Sequence, residues 1–191
     1  IMGYTYKYVN HRPFVGKIKT LTVKRTNAGE FYIYLSVVQE WPDIPSRTGN
    51  AVGLDFGMKH FLTLDNGKAI DSPQWYASVL KDLRNAHRAV SHCQKGSNNR
   101  RRALQHLERI HTQVRNRRRD WFFKLANDLV RLYTVICIED LNLDGMKHLW
   151  GRKVSDLAYG EFIQILEWVA RKNGSIVVKV DRWLPSSKAC D

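Results

Sequence analysis

The chain has 191 residues, 43% of them hydrophobic and 11% aromatic, which is enough for a packed core and argues against a disordered protein. No apolar run approaches a membrane span and no signal-peptide pattern opens the sequence, so neither membrane contact nor secretion is expected. Three dispersed cysteines disfavour a disulfide framework and fit a reducing, cytoplasmic compartment, while a net charge of +13 favours a polyanionic partner.

The first predicted elements are two strands, at residues 17–25 and 30–38, in which apolar and polar side chains alternate. Thr26-Asn27-Ala28-Gly29 lies between them and predicts a tight antiparallel connection. Tyr32 and Tyr34 are interpreted as half-buried sheet residues in preference to base-stacking residues. Residues 41–46 are rich in structure breakers and indicate a linker. We therefore expect a β-rich segment over residues 1–48 and a second domain over residues 49–191.

The second domain is predicted to be a mixed sheet flanked by helices. Strands are expected at residues 51–55 and about 60–65, followed by the turn Asp65-Asn66-Gly67 and a short return strand. Helical periodicity over residues 76–93 and 104–129 predicts two helices that form an antiparallel hairpin, with a loop at 95–99. A strand at 135–139, a helix from near Ser155 to Asn173-Gly174, and a strand at 175–180 complete the order.

Arginine is concentrated in the predicted helical hairpin. Residues 81–124 contain 13 Lys or Arg against three Asp or Glu. Because guanidinium groups match phosphate oxygens, this segment is interpreted as a nucleic-acid surface in preference to a solvated helix face or a membrane-binding face. The predicted contacts are Arg100, Arg101, Arg102, Arg115, Arg117, Arg118 and Arg119, with Lys17 and Lys19 from the first segment.

Two apolar strands each end in an acid, Asp55 and Glu139. The carboxyl ends of parallel strands form the ligand-binding edge of α/β proteins, and two carboxylates there repel each other unless a cation lies between them. Two Mg²⁺ ions about 4 Å apart can activate a water and stabilise the leaving oxygen of a phosphodiester. Asp55 and Glu139 are therefore predicted metal ligands and catalytic residues, and Cys137 is predicted to be a small core residue. Taken singly, each acid is equally compatible with a cap or turn.

An ordered set of motifs resembles the TnpB (OrfB) family of RNA-guided endonucleases of insertion sequences, which are related to type V CRISPR nucleases. The motifs are Val52-Gly53-Leu54-Asp55-Phe56-Gly57, Ile138-Glu139-Asp140-Leu141-Asn142 and Pro185-Ser186-Ser187-Lys188-Ala189-Cys190. The resemblance implies an α/β RNase H-like (RuvC) mixed sheet flanked by helices, with an inserted helical hairpin and a preceding small antiparallel β (wedge or OB-like) unit. It also implies guide RNA and target DNA as partners, a two-metal Mg²⁺ site, Asp55 and Glu139 as the first two catalytic acids, and a bacterial or archaeal cytoplasmic, nucleoid-associated protein.

The sequence departs from the family pattern after the Ser-Ser-x-x-Cys element. In the family this element opens a zinc ribbon, and a third catalytic Asp follows it. Because one cysteine cannot hold zinc, Cys190 is expected to bind Zn²⁺ only in a longer chain, and the fragment alone is expected to be inactive. The alternatives are a cleavage-dead, repressor-like RNA-guided DNA-binding protein and, less favoured, an RNase H-fold strand-transfer transposase. The sequence gives no indication of oligomeric state.

Overall fold

The computed structural model describes residues 5–10, 14–38, 49–140 and 157–181. The chain divides into two compact units, Ile1–Pro42 and Asp43–Asp191. The predicted linker at 41–46, Ser155, and the motif residues 141–142 and 185–190, including Cys190, lie outside the described residues.

An antiparallel hairpin forms the described part of the first unit. Strands β1 (Lys17–Arg25) and β2 (Phe31–Val38) pair from Arg25↔Phe31 beside the turn to Lys17↔Val38, with an irregularity between Ile18 and Thr20. Gly29 takes the left-handed conformation that the turn requires, with φ of 87°, and its N–H donates to the Thr26 carbonyl at 3.0 Å. The predicted hairpin is confirmed.

Both faces of this hairpin are exposed. Tyr32 and Tyr34 are 42% and 55% exposed, so about half of each residue is accessible to solvent, in line with the prediction. The apolar residues of the opposite face, Leu21, Val23 and Phe31, are exposed as well. The physical reason is that a two-stranded sheet buries a face only against another layer, and the described residues of this unit form no second layer.

The second unit is built on a five-stranded mixed sheet. Its strands are β3 (Ala51–Asp55), β4 (Leu62–Leu64), β5 (Ala69–Ile70), β6 (Val135–Glu139) and β7 (Ile176–Val180), in the spatial order β5-β4-β3-β6-β7. Strands β3, β6 and β7 are parallel, and β4 is antiparallel to both of its neighbours. This confirms the predicted mixed α/β architecture and the predicted order of the strands along the chain.

The helices in the described residues of this unit are α1 (Trp75–Ser78), α2 (Leu80–His92), α3 (Asn98–Leu132) and α4 (Tyr159–Asn173). The prediction of one continuous helix from residue 76 is wrong, because Val79 interrupts it with φ of −113°. The interruption lets Trp75 pack against Trp121 in the main core while Leu83 packs in a separate cluster. Gly174, with φ of 75°, ends α4 as predicted. None of the helices in the described ranges is both long enough and apolar enough to cross a lipid bilayer.

The main core lies between one face of the sheet and helices α3 and α4. Val52 and Leu54 of β3 and Ile136 and Ile138 of β6 are at most 4% exposed and point into this core. Side chains alternate along a strand, so Gly53 and its register partner Cys137 lie on the opposite face. Cys137 is only half-buried there, which corrects its predicted place in the core.

Helix α3 runs for 35 residues, about 50 Å, and serves both clusters. Its C-terminal half packs on the sheet, whereas its N-terminal half contributes Ile110 to a small cluster with Leu83 and Ala86 of α2. The Ser97 hydroxyl caps α3 by accepting from the Arg100 N–H at 3.1 Å, and an Arg100 guanidinium nitrogen donates to the Val90 carbonyl at 2.9 Å. These contacts confirm the predicted antiparallel hairpin of α2 and α3.

Candidate functional site

The two predicted acids lie at the same edge of the sheet on neighbouring strands. The parallel register pairs Ala51 with Val135 and ends with Leu54 beside Ile138, so Asp55 and Glu139 occupy the next step, at the carboxyl ends of β3 and β6. Because neighbouring strands are about 4.8 Å apart, this register makes the two acids adjacent. Both are exposed, and neither has an ion-pair partner among the described residues.

Alternation decides the direction of the two carboxylates. Leu54 and Ile138, the residues just before them, point into the core under α3 and α4. Asp55 and Glu139 therefore lie on the opposite face of the sheet, away from the helices. Both carboxylates are exposed on that face.

Backbone pairing and one buried side chain hold the Asp55 segment. Asp55 lies on a strand paired on both sides, with Thr63 of β4 opposite it. The next residue, Phe56, is 6% exposed and packs in the core. The Tyr159 hydroxyl, at the start of α4, donates to the Gly57 carbonyl at 2.6 Å. This hydrogen bond attaches the turn that follows Asp55 to helix α4. No pattern in the sequence indicated this role of Tyr159.

We expect Tyr159→Phe to change the alkaline stability of the protein. Burial, followed by the charge of Asp55, raises the pKa of Tyr159 from 10.0 to about 12. A raised pKa means that the folded state favours the neutral phenol. Its stabilising contribution is therefore complete below pH 10 and is lost as the pH rises from 10 to 12. Between pH 10 and 12 the free energy of unfolding should therefore fall less steeply in the variant than in the unmodified protein. Urea denaturation at several pH values measures this difference.

At pH 7 the same variant should be less stable by about 1–3 kcal/mol, because the Gly57 carbonyl loses its donor. Tyr34→Phe, which removes a phenol that is 55% exposed, is the control for the loss of one ionisable hydroxyl. Identical pH dependence for Tyr159→Phe and the unmodified protein would contradict this role.

A third acid, Asp65, lies on the same face of the sheet as the two edge acids. Its carboxylate accepts the Gly53 N–H at 3.0 Å, and a Cβ placed on Gly53 would meet the Asp65 Cβ at 3.7 Å. The space above Gly53 on this face is therefore next to the Asp65 side chain. The Asp65-Asn66-Gly67 pattern predicts a turn and carries no signal of this contact.

The predicted basic residues divide into exposed cations and cations with intramolecular partners. Arg101, Arg102, Arg117 and Arg119 of α3 are exposed and have no ion-pair partner among the described residues, and Lys17 and Lys19 of β1 are exposed. Arg115 lies 3.9 Å from a Glu108 oxygen. Arg100 donates to the Val90 carbonyl, as described above. The exposed set is available to an external polyanion.

Arg118 differs from its neighbours because it faces α4. Its guanidinium donates to a Glu161 oxygen at 3.0 Å, and its side chain is 18% exposed. This salt bridge joins α3 to α4, which makes Arg118 a structural contact in the described fold.

The residues at the sheet edge fit part of a magnesium site. Mg²⁺ prefers hard carboxylate oxygens and keeps several waters, and two exposed carboxylates without competing ion pairs meet that preference. Within the described ranges, no group of three or more His, Cys, Asp or Glu side chains is arranged to hold a metal ion. Asp55 and Glu139 are the ligand candidates that lie on paired neighbouring strands at this edge.

The sheet order and the edge acids define an α/β protein of the kind that binds ligands at the carboxyl edge of its sheet. The OrfB/IS605 family, described as "Probable transposase", matches residues 34–149, which is more than half of the chain. The chain therefore belongs to this family, the TnpB (OrfB) family.

Relatives carry names consistent with this membership. A protein of Streptomyces pristinaespiralis named "Putative RNA-guided DNA endonuclease" is 35% identical over 173 residues, covering 90% of this chain and 43% of its own length. InsQ of Escherichia coli K12, of the same description, is 29% identical over 73% of this chain and 35% of its own length. The chain thus spans less than half the length of these relatives.

A solved structure has a similar fold. A chain in the cryo-electron-microscopy structure titled as a Cas12f1–sgRNA–target DNA complex aligns with a TM-score of 0.54, over 84% of this chain and 35% of its own length. Sequence identity in that alignment is 14%, so the similarity concerns the fold alone.

Proposed function

We propose that this chain is part of an RNA-guided DNA endonuclease of an insertion sequence, and that its second unit is an RNase H-like (RuvC) nuclease domain. The observation that carries the proposal is the adjacency of Asp55 and Glu139 at the ends of two paired parallel strands. Membership of the OrfB family and the names of the relatives support the same activity. The domain boundary near residue 48 and the wedge-like role of the first unit belong to this proposal.

The proposed chemistry is hydrolysis of a DNA phosphodiester. Bound Mg²⁺ would supply an activated water and would stabilise charge on the leaving oxygen. Asp55 and Glu139 would hold the cations, and both side chains are exposed at the carboxyl ends of β3 and β6. Tyr159 would keep the Asp55 turn in place through its contact with Gly57. Exposed arginines of α3 would bind phosphates.

Guide RNA and target DNA are the proposed partners. In RNA-guided effectors base pairing reads the target sequence while the protein binds backbones through basic surfaces. The net charge of +13 and the exposed arginines of the helical hairpin suit that role. Zn²⁺ binding by Cys190 is proposed only for a protein that supplies further ligands.

The test is cleavage of a matched DNA duplex by the complete protein containing residues 1–191, assembled with its guide RNA. Cutting is expected with Mg²⁺ and should stop when EDTA is added or when the guide is replaced by one of unrelated sequence. Guide-dependent DNA binding without cutting in Mg²⁺ would instead establish the cleavage-dead, repressor-like alternative. Cutting that ignores the guide sequence would contradict the RNA-guided assignment.

Replacing Arg101, Arg102 and Arg117 with Gln should weaken nucleic-acid binding and reduce its salt dependence. Each exposed guanidinium that neutralises a phosphate contributes about 0.7 to the slope of log affinity against log salt for a single strand, so the triple variant should lose about 2. Fluorescence anisotropy titrations at several salt concentrations measure this slope.

Arg131→Gln is the control for that triple variant. Arg131 lies on the same helix and is exposed, but Asp128 already binds it at 3.1 Å. Its replacement should leave the salt slope nearly unchanged. An unaltered slope in the triple variant would mean that these arginines form a solvated helix face only.

A further inference from the structure

An exposed aromatic surface with flanking cations lies where α3 and α4 pack together. Trp168 of α4 is 50% exposed and meets Phe123 of α3 edge-to-face, with ring centroids 5.9 Å apart. The Arg119 guanidinium lies 5.8 Å from the Phe123 ring centre, and the Lys172 ammonium lies 5.3 Å from the Trp168 ring centre. We call these four residues the Trp168 platform.

The charges around the Trp168 platform favour an anionic partner. Arg119, Lys172 and the exposed Arg171 have no ion-pair partner among the described residues. The nearby acids are already neutralised by other cations: Asp120 by Lys124 at 2.7 Å, Glu161 by Arg118 at 3.0 Å and Glu167 by Lys179 at 2.8 Å. An apolar protein partner would have to bury unpaired cations, which is costly. A phosphate backbone would pair with them.

The exposed ring of Trp168 favours a partner that carries an unpaired base as well as phosphates. Lys172 is an exposed, flexible side chain, and a cation over an exposed ring is a weaker interaction than a base stacked on it. An unpaired base can therefore displace the ammonium from Trp168, and the ammonium can then bind the neighbouring phosphate. Bases inside a duplex are already stacked and do not offer their faces. The fitting partner is a single-stranded segment of nucleic acid.

The position of the surface selects RNA over DNA. The Trp168 platform lies on the outer side of the helices that cover one face of the sheet, whereas Asp55 and Glu139 lie on the other face. A DNA strand held at the acids is separated from Trp168 by the sheet and the helical layer. Resting on the proposed function, we propose that an unpaired segment of the guide RNA stacks a base on Trp168, with Arg119 and Lys172 on the flanking phosphates.

Binding of a fluorescein-labelled single-stranded RNA of about twelve nucleotides, measured by anisotropy in EDTA, tests this proposal independently of cleavage. Trp168→Ala should weaken RNA binding about tenfold, in the lower part of the range for one base–aromatic stack, without changing the salt slope. Trp168→Phe should retain most of the affinity. Arg119→Gln with Lys172→Gln should instead reduce the salt slope by about 1.4.

Two control variants separate stacking from packing. Trp168→Leu keeps apolar volume against Phe123 but lacks a ring, so it should lose RNA affinity as Trp168→Ala does while retaining the thermal unfolding midpoint. Leu104→Ala removes another exposed apolar side chain, 45% exposed and beside the arginines of α3, and should leave RNA affinity unchanged.

Unchanged RNA affinity in both Trp168→Ala and Trp168→Leu would overturn the proposal and leave Trp168 as a helix-packing residue. Stacking alone does not distinguish RNA from DNA, so the assignment to RNA is tested in the assembled complex by photo-crosslinking from position 168. Crosslinks to the DNA and none to the guide RNA would overturn it. Both results are distinct from a failure of the proposed nuclease, which would appear as missing cleavage in Mg²⁺ whatever the Trp168 variants do.

Discussion

Glu139→Gln is expected to lower Mg²⁺-dependent cleavage of DNA by about a thousandfold or more, in the complete protein that contains this chain. The amide keeps the size of the side chain but removes the negative charge that would hold the cation. A bound metal ion usually contributes about 4 kcal/mol of transition-state stabilisation in such sites. Losing that contribution lowers the rate about a thousandfold. The single-turnover rate in saturating Mg²⁺ measures the effect.

Binding of guide and target should remain within about twofold of the unmodified protein, because this substitution leaves the basic surface intact. Glu167→Gln is the matched control: it makes the same chemical change at a surface ion pair with Lys179, where the contribution to stability is about 0–1 kcal/mol. This control variant should leave both the cleavage rate and the binding affinity unchanged. Undiminished cleavage in Glu139→Gln would remove Glu139 from the proposed site.

Asp55→Asn should behave in the same way, since Asp55 lies on the neighbouring strand at the same edge. If only one of the two substitutions abolished cleavage, the pair of acids would not form one metal site. A titration with Mn²⁺, followed by the paramagnetic signal of the free ion, gives a readout of cation binding that does not depend on cleavage.

Phe61→Ala is expected to lower the free energy of unfolding by about 3–5 kcal/mol, the usual cost of removing a buried phenylalanine ring. Phe61 is 0% exposed and lies at the centre of an aromatic cluster that joins the sheet to α3 and α4. Its ring centroid is between 5.1 and 6.3 Å from those of Phe56, Trp121, Phe122, Tyr159 and Phe162.

Urea denaturation monitored by circular dichroism measures this loss. Leu132→Ala, in which the removed side chain is 58% exposed at the end of α3, should change stability by less than about 0.5 kcal/mol. A loss below about 1 kcal/mol for Phe61→Ala would mean that the neighbouring rings collapse into the space, and that the cluster is less rigid than its geometry indicates.

The strands that carry the acids could be predicted because each is a short apolar run that ends in a carboxylate. A run of apolar side chains is typical of a parallel strand inside a sheet, and the charged residue marks the point where each strand reaches the carboxyl edge. The hairpin of β1 and β2, the order of the strands along the chain and the end of α4 at Gly174 had equally local signals. The sequence alone left the adjacency of Asp55 and Glu139 a hypothesis. The parallel pairing of β3 with β6, in which Leu54 lies opposite Ile138, makes the two acids neighbours.

Other features could not be predicted because they depend on which side of an element meets a neighbour. Arg117 and Arg118 are equivalent in a run of arginines, yet Arg117 is exposed and Arg118 binds Glu161. The helical period continued through Val79, but the separation of Trp75 and Leu83 into two clusters interrupts the helix there.

By itself, the sequence determined the elements, the mixed sheet, the two edge acids and the concentration of positive charge, since these follow from local apolar period and composition. Only the tertiary structure decided that the acids lie on the face away from the helices, that Tyr159 pins the Asp55 turn, and that Trp168 is exposed between unpaired cations. Those properties arise from register and from contacts between residues as far as 102 positions apart, as in the hydrogen bond from Tyr159 to Gly57. Local periodicity carries no information about such contacts.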